Sequence, residues 1–248
     1  MLTLHSLRMK QLIKKILATL NISLTRNQRY DAYTRLILER SLKHGSNCID
    51  IGCHKGEILD LMLKWAPQGM KFGFEPIPEL YHELVLKYQS DRMVSIFPIA
   101  LYDHQGKTSF QHVLNAPAYS GIKQRKYDGK QVEINQITVE TDLLDNLIPE
   151  NVNIDLIKID VEGAEFPVMQ GGVKTIRRSR PVIIFEFGMG AADFYDSKPG
   201  ALYQFLHREC NLHVSTLKGL LDHSHSLSEN DFKQLFENGK EYYFVAHP

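Results

Sequence analysis

The stretch from residue 48 to residue 56, which reads Cys-Ile-Asp-Ile-Gly-Cys-His-Lys-Gly, most constrains what this chain can fold into. Its apolar start suits a buried strand, and Gly52 and Gly56 suit a tight turn before a helix. Glu75, 19 residues after Gly56, closes a second apolar run, Lys-Phe-Gly-Phe. A strand, a glycine turn, a helix and a strand that ends in an acid form the nucleoside-binding half of a βαβ unit. The pattern predicts a nucleoside site where these two strands end.

Asp50 indicates which nucleoside the site would take. A dinucleotide fingerprint has glycine at this position, so that a pyrophosphate can approach the backbone at a helix N-terminus. A fixed carboxylate repels a pyrophosphate but attracts the ammonium and sulfonium groups of S-adenosylmethionine. Glu75 can accept hydrogen bonds from both ribose hydroxyls. The pair therefore favours S-adenosylmethionine over NAD, while a plainer interpretation stays open in which Asp50 is a turn residue and Glu75 a helix N-cap.

Composition bounds the class of protein. The 248 residues, 43% of them apolar, suffice for one large core or for a core with an appendage. The 29 basic and 29 acidic residues cancel, which argues against bulk nucleic-acid binding and suits a small or neutral substrate. The three cysteines have no Cys-x-x-Cys spacing, which predicts a reducing, cytoplasmic setting. No apolar run is long enough to predict a membrane-spanning helix.

Residues 1–46 are predicted to form a helical extension ahead of a main domain that covers residues 47–248. The first thirty residues contain six cations and no acid, and the apolar residues between Leu12 and Leu20 fall at helical spacing. This helix either caps the domain or touches anionic lipid as a basic amphipathic helix. The apolar stripe favours the cap. A second helix is predicted over Tyr30–Leu42.

The middle of the chain predicts a doubly wound sheet with an interruption. Helices over Glu57–Trp65 and after Pro76, followed by a third buried strand over Val94–Leu101, imply parallel βα repeats. After Asp103 the alternation stops. Two β segments follow, Thr108–Leu114 and Gln131–Val139, with a slip of register predicted near Asn135. We name the connection between them, residues 115–130, the flap. The flap either faces the substrate and recognises something anionic or rich in hydroxyls, or is a solvated connection.

The doubly wound pattern resumes with a strand over Ile154–Asp160 and a helix over Ala164–Ser179. The next buried strand, Pro181–Phe187, ends in Glu186. We name the glycine-rich loop that follows, residues 188–200, the rim, because it suits the edge of an active site. Nearer the C-terminus the pattern predicts two strands and a capped helix, namely Leu212–Leu217, Glu241–Ala246 and Ser228–Asn238.

Four short segments, taken together, resemble one family of proteins, the FkbM family of S-adenosylmethionine-dependent methyltransferases. The most specific is Lys158-Ile-Asp-Val-Glu-Gly-Ala-Glu165, and the others are Ile49-Asp-Ile-Gly52, Phe74-Glu-Pro76 and Ile99-Ala-Leu101. The resemblance covers roughly residues 47–187. It implies a Rossmann-like methyltransferase fold, with a doubly wound, mainly parallel seven-stranded sheet that contains one antiparallel strand. It also implies O-methylation of hydroxyls on sugars, polyketides and related metabolites.

The resemblance assigns roles by position. It implies that Asp50, Gly52 and Gly56 line the methionine and ribose of the cofactor and that Glu75 binds the ribose diol. Asp160 is implied to lie at the reactive end of the cofactor. The remaining residues expected to contact the cofactor are His54 and Pro76, together with Ala100 and Leu101 at the adenine edge. At Cys53-His54 the chain departs from the Ala-Asn pair usual in the family.

Methyl transfer from a sulfonium is an in-line displacement, so an enzyme has to hold the acceptor oxygen aligned behind the methyl carbon. A protonated alcohol is a poor nucleophile, so a base must take its proton during attack. Lys158, Asp160 and Glu162 occupy alternate positions and share one side if the strand stays extended. We expect Asp160 to organise the cofactor or the acceptor, and Glu162 or Glu186 to take the proton.

Two alternatives stay open for these carboxylates. Glu162 and Glu165 can cap the helix that follows them, where negative charge is favourable. Asp160, Glu186 and His54 can also converge on a divalent ion. Because no ligand string of diagnostic spacing is present, we assign no metal ligands.

The sequence thus predicts a cytoplasmic, S-adenosylmethionine-dependent O-methyltransferase that acts on a hydroxyl of a sugar, a glycan precursor or a similar small metabolite. Two alternatives belong to other classes. One is a methyltransferase-like protein that binds a ligand without catalysis, and the other is an NAD-dependent oxidoreductase.

Overall fold

A computed structural model describes residues 25–127 and 131–248, so the helix predicted around Leu12–Leu20 lies outside the described residues. Its centre is a seven-stranded sheet with the order β3-β2-β1-β7-β8-β10-β9. These strands are β1 (Cys48–Ile51), β2 (Lys71–Phe74), β3 (Val94–Phe97), β7 (Leu156–Ile159), β8 (Val182–Glu186), β9 (His213–Thr216) and β10 (Tyr243–His247). A second sheet of three strands has the order β4-β6-β5, with β4 (Ile99–Leu101), β5 (Gly106–Val113) and β6 (Ile134–Asp142).

The central strands are buried on both faces, as a parallel sheet covered by helices requires. Every residue of β1, β2 and β7 is buried. The pairs from β3 across to β8 are all parallel, whereas β10 runs antiparallel to both of its neighbours, β8 and β9. The predicted doubly wound, mainly parallel sheet with one antiparallel strand is therefore confirmed.

Helices cover both faces of the sheet. They are α1 (Arg26–Ser41), α2 (Glu57–Trp65), α3 (Pro78–Tyr88), α4 (Leu144–Leu147), α5 (Glu165–Gly171), α6 (Val173–Ser179), α7 (Pro199–Gln204), α8 (Leu217–Leu221) and α9 (Glu229–Glu237). Helix α1 buries Ile37 and Leu38 in the cores on one side of the sheet and contacts α2 and α8. In the described part of the chain, no helix has the length and apolar character needed to cross a bilayer.

The prediction of a single buried strand over Val94–Leu101 is wrong, because the segment forms two strands and the first of them is only half-buried. Pro98 divides it, and because proline lacks an N–H it cannot continue a ladder of hydrogen bonds. β3 is a half-exposed edge strand of the large sheet, whereas β4 leaves that sheet and pairs in parallel with β6. The division places β4 beside the end of β2, close to Glu75.

The predicted slip of register near Asn135 is also wrong. The antiparallel pairing of β5 with β6 runs without interruption from Gly106 opposite Thr141 to Val113 opposite Ile134. The parity of the apolar residues changes because the first three residues of β6 are exposed and need no buried face.

The single helix predicted over Ala164–Ser179 is two helices, α5 and α6, which meet at Gly172. A Cβ atom at the preceding Gly171 would lie 2.1 Å from the carbonyl oxygen of Tyr102. The helix therefore breaks where two glycines allow it to approach the backbone after β4.

The carboxyl ends of β1 and β7 meet closely at Gly52. Its φ is +79°, and a Cβ atom there would lie 2.0 Å from the carbonyl oxygen of Asp160. Gly45, in the turn before β1, serves as a control, because a Cβ atom added there would have nothing within 4 Å. We predict that Gly52→Ala lowers the free energy of unfolding by about 2 to 4 kcal/mol, through overpacking and left-handed strain. Gly45→Ala should change it by less than about 0.5 kcal/mol. Urea titrations measure both, and equal effects would contradict the close approach.

Candidate active site

A cavity of about 720 Å³ opens at the carboxyl ends of the parallel strands. Ligands of open α/β sheets bind at this edge. Every residue that the sequence predicted for the site lines the cavity except Gly56; these are Asp50, Gly52, His54, Glu75, Pro76, Ala100, Leu101, Asp160, Glu162 and Glu186. Gly56 instead precedes α2, and a Cβ atom there would lie 2.5 Å from the Tyr88 hydroxyl oxygen.

Two buried carboxylates mark one end of the cavity. Asp50, at 1% exposure, has an oxygen, Oδ2, without a hydrogen-bond partner. Burial raises the pKa of Asp50 to about 7, although the charge of Lys158 opposes the rise. Burial likewise raises the pKa of Glu75 to about 7. Glu75 accepts the N–H groups of His54 (2.8 Å) and Ile77 (3.0 Å), which fix its carboxylate at the end of β2.

The wall beside Glu75 is apolar and comes from the second sheet. Ala100 and Leu101 of β4 are buried there, and Phe110 of β5, Ile77 and Ile122 extend the same surface. A flat apolar wall next to a hydrogen-bonding carboxylate suits a base attached to a ribose.

Three further carboxylates meet at the ends of β7 and β8. One oxygen from each of Asp160, Glu162 and Glu186 lies within 4.8 Å of the others. The histidine that the metal alternative required, His54, is not a member of this group; its side chain lies 3.9 Å from Glu57 instead.

A turn, rather than an extended strand, brings Asp160 and Glu162 together. β7 ends at Ile159, and the chain then takes positive φ at Glu162 (57°) and Gly163 (111°). The fully buried Glu165 holds this turn by accepting the N–H groups of Val161 (3.2 Å) and Gly163 (3.1 Å). The condition for Lys158, Asp160 and Glu162 to share a side through strand geometry, a strand extended as far as Glu162, is therefore not met, although Lys158 and Asp160 do meet.

The three carboxylates carry different charge. Lys158 Nζ lies 2.9 Å from Asp160 Oδ2, which also accepts the hydroxyl of Tyr243. Burial alone would raise the pKa of Asp160, but Lys158, Tyr243 and Glu186 together hold it below its usual value. Burial and the charge of Asp160 raise the pKa of Glu186 to about 8. These opposite shifts favour the ionised form of Asp160 and the protonated form of Glu186.

The described part of the flap, residues 115–127, contacts this cluster. Arg125 forms an ion pair with Glu162, and its guanidinium lies 5.2 Å from the centre of the Tyr119 ring. The flap also docks on the rim, because the backbone N–H of Lys123 donates to the Tyr195 hydroxyl (2.8 Å) and that of Lys126 to the carbonyl of Gly190 (2.9 Å). Arg125 is thus engaged by the protein's own carboxylate.

Sequence reasoning missed the part of the cavity wall that comes from the two ends of the described chain. Asn27, Tyr30 and Asp31 of α1 line it, together with Tyr242 and Tyr243 near the C-terminus. These groups are separated by some two hundred residues of chain, and no local sequence pattern joins them. The one feature of the sequence that could have indicated their role is the pair of tyrosines ahead of an apolar strand.

Comparison with known proteins agrees with this geometry. The family model described as the methyltransferase FkbM domain matches residues 50–213. A 2-O-methyltransferase, NoeI, of Sinorhizobium fredii is 31% identical over 151 residues, which are 53% of this chain and 59% of that protein. The match therefore spans less than two thirds of the relative's length.

The fold is also similar to a solved structure, a methyltransferase FkbM from Methylobacillus flagellatus. The similarity has a TM-score of 0.52 at 10% sequence identity and covers 83% of this chain and 44% of that one. At this identity it supports the fold alone. With the family model matching about two thirds of its residues, the chain belongs to the FkbM methyltransferase family.

Proposed function

We propose that this protein transfers a methyl group from S-adenosylmethionine to a hydroxyl of a sugar, a glycan precursor or a similar small metabolite. The observation that carries the proposal is a single cavity that joins a nucleoside-like end, at Asp50 and Glu75, to a carboxylate cluster that contains a candidate base, Glu186.

The residues present fit S-adenosylmethionine. Asp50 points an unpartnered, buried oxygen at the end where the positive charges of the amino acid and sulfonium would lie. Glu75 keeps acceptor capacity for ribose hydroxyls, and the wall formed by Ala100 and Leu101 suits adenine. When bound, the cofactor supplies an electrophilic methyl group on a sulfonium.

Glu186 is the better candidate for the base. Its pKa of about 8 lies near the operating range, where a base accepts a proton most effectively. Glu162 is ion-paired with Arg125, and Asp160 is held ionised by Lys158 and Tyr243, so neither is poised to take up a proton. In this proposal Asp160 orients the acceptor and Glu186 receives the proton that the hydroxyl loses.

The charges of the cluster balance without a divalent ion. Lys158 and Arg125 neutralise two of the three carboxylates, so the cluster carries at most one net negative charge, once Glu186 has released its own proton to solvent and can act as a base. We therefore favour proton transfer to Glu186 over activation of the acceptor by a metal ion.

The relative NoeI is a 2-O-methyltransferase, which supports oxygen as the atom that receives the methyl group here. The alternative of a binding protein without catalysis is disfavoured because the candidate base and both cofactor-facing carboxylates are present. Turnover with a labelled methyl donor separates the two.

We predict that kcat/KM rises with pH through a limb near pH 8, because Glu186 must lose its proton before it can accept another. Glu186→Gln should lower kcat about 10²- to 10⁴-fold and remove the limb. Glu162→Gln should keep the limb, since it removes only the partner of Arg125.

Rate profiles from pH 6 to pH 9.5, measured with excess chelator present, test this prediction. A limb that persists in the Glu186→Gln enzyme would show that another group accepts the proton. A complete loss of activity in chelator that added Mg²⁺ restores would instead favour the metal alternative.

We predict opposite effects of Asp50→Asn on stability and on cofactor binding. The pKa of Asp50 is raised from 3.8, its value in an unfolded chain, to about 7 in the folded protein. Folding therefore favours the protonated form, and the stability that this form gives is fully present below pH 3.8 and is lost as the pH rises to about 7. The asparagine variant should therefore be more stable than the parent at pH 8 and show no gain near pH 4. Its affinity for S-adenosylmethionine should fall at least about tenfold, because a buried charge pair is lost.

Thermal melts across pH and titration calorimetry measure the two effects of Asp50→Asn. Unchanged affinity for the methyl donor would remove Asp50 from the cofactor site. Stabilisation of the parent protein by NAD, with no response to S-adenosylhomocysteine, would revive the dinucleotide interpretation.

A further inference from the structure

We infer that the first turns of α1 form the acceptor subsite together with the segment that leads into β10, and that this subsite selects a polyhydroxyl acceptor without a phosphate or carboxylate. The inference rests on the proposed function and adds a specificity residue, Asp31, and a class of acceptor.

The position of α1 is fixed against the C-terminal segment by polar contacts. Arg26 donates to the carbonyl of Gly239 (2.8 Å), and the Tyr242 hydroxyl donates to Asn27 Oδ1. Tyr30, at 4% exposure, donates its hydroxyl to Glu241. The start of the helix is therefore held in place as part of the cavity wall.

The same contacts reach the carboxylate cluster. The ring of Tyr30 packs edge-on against Tyr242, at 4.8 Å between ring centres, and lies 5.0 Å from Tyr243. Tyr243 in turn donates its hydroxyl to Asp160. One residue further along α1, Asp31 lies exposed at the cavity, within range of the charges of Arg35 on the same helix and of Lys158 and Asp160. Helix α1 thus borders the place where the acceptor hydroxyl must lie.

The space available agrees with a second ligand beside the cofactor. The cavity of about 720 Å³ lies in the upper half of the usual range for ligand pockets, and it extends from the apolar wall at Ala100 as far as Asn27 and Asp31. The two ends are lined by different chemistry: the first by apolar side chains and Glu75, the second by carboxylate, amide and phenol groups.

The lining of the cavity has a large excess of negative charge. Eight acidic residues line it against two basic ones, Arg125 and Lys158, and one histidine, His54, within the part of the chain that the structure describes. Both bases are already paired, with Glu162 and Asp160. A phosphate or carboxylate on the acceptor would find no unpaired lysine or arginine among these lining residues and would be repelled by Asp31 and Glu241.

Neutral hydroxyls, in contrast, suit this surface. Carboxylates accept two or more hydrogen bonds each, and the amide of Asn27 and the phenol of Tyr242 both donate and accept. A site built to hydrogen-bond hydroxyls rejects analogues that leave its polar groups unpaired. Asp31, which is exposed at the mouth, is the group we expect to bind a hydroxyl next to the one that is methylated.

The test uses matched probes and a matched control variant. Protein saturated with S-adenosylhomocysteine is titrated by calorimetry with the methyl glycosides of glucose, galactose and mannose, and with their 6-phosphates. The variants are Asp31→Asn and, as control, Glu39→Gln, which removes the same charge from an exposed position of the same helix. Steady-state rates with labelled methyl donor are measured for every glycoside that binds.

We expect at least one neutral glycoside to bind at least tenfold more tightly than its phosphate. The Asp31→Asn variant should bind this glycoside 5- to 20-fold more weakly, or show a KM for it that is higher by the same factor. The ratio of affinities between the glycoside and its phosphate should become smaller. The kcat and the affinity for S-adenosylhomocysteine should stay within twofold of the parent values. Glu39→Gln should change none of these values.

Tighter binding of the phosphates, binding of neither class, or an Asp31→Asn variant that matches Glu39→Gln would overturn the inference. Failure of the parent protein to bind S-adenosylhomocysteine would instead overturn the proposed function. The two failures are therefore distinguishable, because the cofactor is titrated before any acceptor.

Discussion

Buried negative charge at the carboxyl ends of the parallel strands is the constraint on which the cavity depends. Burial of a carboxylate is costly unless backbone donors, a cation or a proton compensates it. Each acid here has a different compensation: Glu75 and Glu165 accept backbone N–H groups, Asp160 has Lys158, and Glu186 keeps a proton. Asp50 and Glu165 each also have one oxygen without a hydrogen-bond partner, and of these two residues only Asp50 lines the cavity.

Because the carboxylates are compensated in different ways, the two ends of the cavity favour different chemical groups. The unpartnered carboxylate of Asp50 favours a cationic ligand at one end, and the protonated Glu186 provides a group of tunable charge at the other. Arg125 and Lys158 are each placed against one carboxylate of the cluster, so two of its three charges are compensated by the protein itself. Under the proposed function, binding of a cationic methyl donor offsets part of the cost of the buried charge at Asp50.

Local chemistry explains what the sequence could predict. Asp50 and Glu75 were readable because an acid that follows a short apolar run points to the end of a buried strand, and parallel strand ends share one edge of the sheet. The same rule brought Asp160 and Glu186 together. The start of α1 was also readable, since Thr25 and Gln28 form a capping box, yet the apolar period alone placed that start four residues too late.

Contacts between distant parts of the chain explain what could not be predicted. Tyr30 meets Tyr242 and Tyr243 across most of the chain length, and no periodicity encodes that pairing. The break at Gly172 depends on the backbone of Tyr102, and the split at Pro98 depends on β6 accepting β4 as a partner. Arg125 was visible as a cation in the flap, but its partner, Glu162, was set by a left-handed turn.

The most direct test of the account is a crystal structure of the protein with S-adenosylhomocysteine bound. We expect the ribose to lie at Glu75, the amino-acid end at Asp50 and Gly52, and the sulfur to face Asp160 and Glu186, with room for one hydroxyl between the sulfur and Glu186. An adenosyl group bound outside this cavity, or a sulfur turned away from the carboxylate cluster, would contradict it.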